Sequence, residues 1–444
     1  MKTGFSKICI NPPYGAPISG YYEQRYVKGI TSSLYTRAVA FDDGNKKALI
    51  IAIDVCLLPL EICDRIRNDI VKATGVEKDA IFLNFSHTHT GPLVGQNFTT
   101  DDKSSEEYDE FFFSCIRDAA IYAIDDLCES RIEIGETVAK NISFIRRYRM
   151  KDGSVVTNPG PHNDNILEPL GTPNEALKLV KIVRDGKNDI AMINFGTHAD
   201  SVGGEYINAD FPGYACDTVE AALPGTNAIF LIGPQGDVNH VNVNTTEGEM
   251  AILNDLDTVC PHSDEHARHM GRVIAGAVLS IYSITEEMKT DKITYGSKIV
   301  NLPSNQDNDR LDEAKRICEL YDTGRKDELP YKEMELVTVV SEACRIVRLE
   351  NGPDSFPFLL SAIKIGELVF AGIGGEPFVE IGVRISEQSP FENIIVCGLT
   401  NNYGGYIPTS SCYDEGGYEP RTTDIKRGGD DIIVDGMTEL LKSL

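Results

Sequence analysis

The chain of 444 residues is short of positive charge: Lys and Arg number 42 against 68 Asp and Glu, a formal net charge of −26. Nucleic acid and anionic membrane surfaces are recognised through positive patches, so neither is expected as a partner. Long apolar runs are lacking too. No stretch approaches the roughly 20 residues that a membrane-crossing helix needs, so no integral membrane segment is expected. Residues 1–7 lack the apolar core of a signal peptide. The eleven cysteines are odd in number, scattered, and contain no Cys-x-x-Cys pair. That excludes a zinc ribbon or a disulfide framework and leaves reduced thiols in a cytoplasmic protein as the expectation. There is no low-complexity tract, no internal repeat and no flexible linker. Histidine is scarce as well, with eight in the whole chain.

Two of those eight stand two residues apart, in Asn84-Phe85-Ser86-His87-Thr88-His89-Thr90-Gly91-Pro92. An apolar run at 80–85 precedes them and a Gly-Pro breaker closes the segment. Imidazoles so placed at the mouth of a strand can offer two neutral nitrogens to one metal, or one ligand and one acid/base.

The rest of the chain alternates strand and helix. Apolar runs at 48–53, 80–85, 142–148, 176–183, 190–195, 228–232, 358–365, 367–373 and 393–399 read as strands. Residues 60–74, 105–130, 263–288 and 430–441 have helical spacing. The charged stretch 305–336 reads as a helical insertion or cap. The rhythm predicts an α/β fold of mixed, largely parallel sheets covered by helices. At this length we expect a single domain over 1–444, with an N-terminal lobe (about 1–290) and a C-terminal lobe (about 291–444) sharing one site. Candidate polar groups lie just beyond strand ends: His87 and His89; His198 and Asp200; Asp237, Asn239 and His240; Glu376; and Asn402, Tyr403 and Tyr406. In open α/β sheets, ligands bind outside the carboxyl ends of strands. Residues alone thus point to a metal-dependent α/β enzyme.

These segments, in the same order, resemble the neutral (non-lysosomal) ceramidase family. Ser86-His87-Thr88-His89-Thr90-Gly91-Pro92 is similar to the family's Ser-His-Thr-His-Ser-Gly-Pro. Ile145-Arg146-Arg147 is similar to its Asn-Arg-Ser, Thr197-His198 to its later Thr-His, and Gly236-Asp237-Val238-Asn239-His240 to its Gly-Asp-Val-Ser-Pro-Asn. Gly375-Glu376 and Asn402-Tyr403-Gly404-Gly405-Tyr406 match its C-terminal pair. The resemblance covers nearly the whole chain and implies a ceramidase catalytic-domain-like fold without the family's C-terminal β-sandwich domain. It implies one Zn²⁺ per chain on His87, His198, Glu376 and Tyr406, with Tyr403 the rival tyrosine ligand and otherwise, with His240, a substrate contact. His89, Arg146, Asp237, Asn239 and Tyr418 then fall to the catalytic machinery. Asp237 would hold a ligand imidazole in one tautomer, and His89 would point away from the metal if the loop leaves regular extension.

Asn239 stands where the family has serine. An amide can hydrogen-bond an oxyanion but cannot be a hydroxyl nucleophile. The expectation is therefore hydrolysis of an amide (N-acyl) bond in a small-molecule substrate rather than in long-chain ceramide. A metal-dependent esterase, phosphoesterase or carbohydrate-acting enzyme remains the alternative, as does a zinc-retaining binding protein. No oligomeric state is implied. Of the remaining histidines, His162 reads as a loop residue at a rim, and His262, His266 and His269 as a solvated helix face. Arg25 and Arg37 are candidates for an anionic substrate group.

Overall fold

The computed structural model describes residues 1–96, 102–252 and 264–444. The larger sheet has nine strands. In spatial order they are Thr226–Ile232, Asp189–Phe195, Ala176–Arg184, Cys128–Val138, Lys2–Cys9, Tyr35–Asp42, Lys47–Ile53 and Ile81–Phe85, with Glu286–Glu287 beside Cys128–Val138. A four-stranded sheet orders Ile293–Pro303, Ser355–Ile365, Leu368–Ile373 and Asn393–Cys397. The fold is mixed α/β, with helices against the sheets.

Parallel pairing is less widespread than the sequence suggests. In these two sheets it is confined to Lys47–Ile53 with Ile81–Phe85, Asp189–Phe195 with Thr226–Ile232, and Leu368–Ile373 with Asn393–Cys397. The other ladders are antiparallel. The reason lies in the connections. A parallel neighbour needs a crossover of a dozen or more residues, whereas a tight turn returns the chain antiparallel. The three parallel pairs are joined through the helices Leu60–Thr74, Asp210–Ala222 and Val379–Gln388. By contrast, Ser355–Ile365 and Leu368–Ile373 turn through Gly366 alone with Glu367. Gly366 has φ +59°, and a Cβ there would lie 1.9 Å from the Lys289 carbonyl, so only glycine makes this turn.

Several spans differ from the sequence reading. The helix expected over 105–130 is Glu106–Asp125, and the remainder joins Cys128–Val138, where buried and half-exposed positions mix. The helix expected from 263 begins at Glu265 and stops at Ile281; residue 263 lies outside the described residues. The charged stretch is a hairpin of two helices, Leu311–Asp322 and Glu333–Arg348, with its own apolar cluster (Ala314, Ile317, Val339, Val340, Ala343, Ile346).

The two ends of the nine-strand order approach each other, and Asn84 ties them. Its Oδ1 accepts from Ile232 N (2.8 Å), while its Nδ2 donates to Gly398 O (2.8 Å). Asn401 does likewise for the neighbouring layer, accepting from Leu83 N and donating to Ser361 Oγ. Both amides are fully buried, where satisfied polar groups specify one arrangement and unsatisfied ones are costly. Ile363, Leu368, Phe370 and Ile395 of the second sheet pack into the main apolar core. The three parallel pairs are thus brought together with their carboxyl ends on a common edge.

Candidate metal centre

Each crossover unit delivers two strand-end loops to that edge. From the first come Asp54–Cys56 and the histidine loop. His87 takes φ +67°, a left-handed conformation costing about 1–2 kcal/mol for a residue with a Cβ. It is held there by His87 N donating to Val55 O (3.0 Å) and His89 N donating to Ala199 O (3.1 Å). The second unit supplies His198, whose amide donates to Val238 O (3.2 Å). The third supplies Glu376 and Tyr406, set opposite each other in the short parallel pair Glu376–Pro377 with Tyr406–Ile407.

The tautomers follow from the acceptors. His87 Nδ1 lies 2.9 Å from Cys56 O, and His198 Nδ1 lies 2.8 Å from Gln235 O and 3.1 Å from Val238 O. A carbonyl oxygen only accepts, so both Nδ1 atoms donate and both Nε2 atoms present a lone pair. Those lone pairs face Glu376 Oε2, at 3.2 Å from His87 Nε2 and 2.9 Å from His198 Nε2. Oε2 is buried without a hydrogen-bond partner. Three acceptors aimed at one point, out of reach of water, call for a cation. His87 shows the same demand. Burial opposes its protonation, yet the Glu376 carboxylate raises its pKa well above the ordinary value. His198 stays below the ordinary imidazole value through burial and the neighbouring Arg146. A metal ion in place of the His87 proton would satisfy all three, so the residues fit a divalent cation.

A second group within reach, Cys56 with His87 and His89, fits less well. Cys56 Sγ faces His87 Nδ1 at 3.6 Å, the nitrogen already committed to Cys56 O.

Around the three acceptors stand the other named residues. Tyr406 OH is 3.4 Å from His198 Nε2, and Tyr403 OH donates to Glu376 Oε1 (3.2 Å), the oxygen turned away from the imidazoles. Arg146 Nη1 reaches His198 Nε2 at 3.2 Å, its guanidinium lies over the Tyr406 ring, and its Nη2 is buried and unpartnered. His89 does not turn away. Its Nε2 lies 3.3 Å from His87 Nε2 with the rings at 89°, because the left-handed His87 swings the following residues back toward the site. Burial and the His87 charge hold its pKa well below the ordinary value. Tyr418 OH bonds Tyr22 OH (2.9 Å) and its ring abuts Tyr406.

Other candidates serve elsewhere. Asp237 does not orient an imidazole, since backbone carbonyls do that. Its Oδ1 accepts from Val379 N (2.8 Å), the first residue of helix Val379–Gln388, and its carbonyl accepts from Arg146 N (3.0 Å). Burial raises its pKa to about 6. Asn239 donates to Asn158 Oδ1 and accepts from Val241 N, both at 3.0 Å. His240 is fully buried, 3.3 Å from Asp200 and packed on the His266 ring. His266 is itself 4% exposed and so not solvated, while His269 is half-buried; His262 lies outside the described residues. His162 meets Thr245 Oγ1 (3.2 Å). Arg25 donates to His89 O (2.7 Å) and Ser19 O (2.8 Å), and Arg37 pairs with buried Asp54, so both brace the scaffold.

Sequence reading missed Glu419, Tyr21, Tyr22 and Cys56. Glu419 Oε1 accepts from Arg146 Nε (2.7 Å) and its Oε2 is 3.5 Å from Arg147 Nε. Arg146 lies between the strands Phe144–Ile145 and Arg147–Met150, and the two buried arginines need such a carboxylate, which only the fold brings to them. Cys56 follows the same strand-end rule as the other loops, behind Lys47–Ile53. Tyr21 packs on His89, and Gly20 (φ +113°) has no room for a side chain, since a Cβ would lie 2.8 Å from His89 Cα.

No family model matches the sequence. Among solved structures, the neutral ceramidase of Pseudomonas aeruginosa superposes with a TM-score of 0.73 at 18% identity, over 100% of this chain and 75% of that one. The fold is that of the neutral ceramidases. A ceramidase complexed with C2 gives a TM-score of 0.70, again at 18% identity and with the same coverage. The ceramidase-like fold therefore holds at an identity where architecture, not chemistry, is what the likeness establishes. Among the described residues no helix is long and apolar enough to cross a membrane.

Proposed function

We propose that this chain is a zinc-dependent hydrolase of an amide (N-acyl) bond in a small-molecule substrate. His87, His198 and Glu376 would hold the ion, with Tyr406 as the fourth ligand. Tyr406 is preferred to Tyr403 because its oxygen lies on the imidazole side of Glu376. Zinc bound there would supply Lewis acidity toward an acyl carbonyl and make water acidic near neutral pH.

The protein's own groups account for the rest. Glu419 fixes the Arg146 guanidinium so that its unpartnered Nη2 can donate to an oxygen developing negative charge. His89, kept neutral by burial, can hydrogen-bond the reacting groups through its imidazole. Tyr403 donates to Glu376 and fixes the carboxylate's orientation. Tyr418, held by Tyr22, closes the side beyond Tyr406. Asp237 sets the backbone carrying Arg146. Asn239 stands where the ceramidase family has serine and its amide is taken up by Asn158 and Val241, which favours a substrate other than long-chain ceramide. His240, paired with Asp200, supports the wall behind the site.

The observation that carries this reading is Glu376 Oε2, buried and unpartnered between two imidazole lone pairs. The test is metal analysis of the purified protein, then assay of the stripped and zinc-restored forms on amide, ester and phosphoester substrates. About one zinc per chain, with amide hydrolysis that returns on restoration, is expected. Full activity in the stripped protein, or turnover of phosphoesters alone, would overturn the reading.

A further inference from the structure

The cap hairpin contains a feature that the metal centre does not use. Cys318, on Leu311–Asp322, and Cys344, on Glu333–Arg348, face each other with their sulfurs 3.7 Å apart. Cys344 is exposed and Cys318 half-buried. A disulfide requires about 2.05 Å between sulfurs, so closure asks for an approach of about 1.7 Å. Chain position makes the bridge consequential, because it would join two helices rather than two turns of one.

We propose that Cys318 and Cys344 are a dithiol site, oxidised reversibly by low-molecular-weight disulfides to a bridge that fastens the two cap helices. The Cys344 thiolate attacks the disulfide RSSR, forming a mixed disulfide and releasing RS⁻. The Cys318 thiol then attacks Cys344 Sγ, loses its proton, and expels the second thiolate. In total, two protein thiols and RSSR give one protein disulfide and two RSH. Cys344 is the first nucleophile. A hydrogen bond from Cys318, aided by Arg348 one turn along, holds its thiol below the ordinary value, and it is the accessible partner.

The helix carrying Cys344 is bolted to the Tyr418–Thr422 helix: Arg345 Nε donates to Arg421 O (2.8 Å), and Arg421 Nη2 to Glu342 Oε2 (2.6 Å). The bridge would therefore restrain the cap relative to the segment that carries Tyr418 and Glu419.

The test is to incubate the folded full-length protein with oxidised glutathione, digest without reduction and map the peptides. A Cys318–Cys344 linkage, reversed by a reducing thiol, is expected. Cys318→Ser should instead retain a glutathionyl adduct on Cys344. Amide hydrogen exchange across 311–348 should slow on the order of 100-fold on oxidation and recover on reduction. Stable separate adducts on both cysteines of the unmutated protein, or two free thiols while other cysteines react, would overturn the proposal. None of these readouts depends on the hydrolase reading.

Discussion

Replacing Asn84 by alanine should loosen the junction on which the whole site depends. The side chain is fully buried and makes two 2.8 Å hydrogen bonds to backbone groups of different crossover units, Ile232 N and Gly398 O. Alanine leaves that N–H unpaired in the interior, while the Gly398 carbonyl keeps only the Thr400 hydroxyl (2.9 Å). One unsatisfied buried group costs about 1–3 kcal/mol and the lost bond to Gly398 about 1 kcal/mol more, so ~2–4 kcal/mol of stability should be lost. That is a large share of the 5–15 kcal/mol typical of folded domains. Asn84→Asp is the informative control. It keeps the acceptor for Ile232 N but turns a second oxygen toward the Gly398 carbonyl, so it should be at least as damaging as alanine. The measurement is reversible urea unfolding, with metal content as a second readout, since His87 lies three residues further along. A loss below ~1 kcal/mol for Asn84→Ala, or a neutral Asn84→Asp, would refute the idea that this amide joins the sheet edges.

Other substitutions test the centre itself. His87→Ala and His198→Ala should each lose bound zinc and turnover, whereas His89→Ala should keep zinc by metal analysis and lose turnover. Glu419→Gln leaves Arg146 and Arg147 without their buried carboxylate; stability should fall by ~3–5 kcal/mol and kcat with it, read by denaturation and steady-state kinetics. Gly20→Ala should displace His89 through the 2.8 Å contact and lower turnover at unchanged zinc content. A pH effect is expected at His266, whose ring nitrogens are both buried and unpartnered and whose pKa burial lowers to about 3, with His240 and His269 adding to the shift. The unfolded chain binds this proton near pH 6.5 and the folded chain does not, so stability should fall as pH drops from 6.5 toward 3. The loss should reach about 2 kcal/mol by pH 5. His266→Phe should remove that part of the slope in melting curves taken from pH 7 to 5.

The candidate site was legible, as a set of residues the fold brings together, where polar groups sit at strand ends. His87, His198, Glu376 and Tyr406 could be named because an apolar run followed by a polar, glycine-rich loop is a local pattern. Glu419 and Tyr22 were not legible, because they become site neighbours only when a distant helix and an N-terminal loop fold over the edge. Strands such as Lys2–Cys9 and Cys128–Val138 were missed because their mixed burial breaks the apolar run that marks a strand buried on both faces.

By itself the sequence determined the donor types, their order and their attachment to strand ends, since side-chain identity and apolar periodicity are local properties. Tertiary structure alone decided which atoms of the candidate site face one another. Backbone carbonyls, invisible in any motif, took both Nδ1 protons and left the Nε2 lone pairs toward Glu376. Likewise the left-handed turn at His87, and not the two-residue spacing, decided that His89 looks into the site. Strand direction in the two main sheets was settled the same way, because the parallel neighbours there are those joined through a helix that carries the chain back across the sheet.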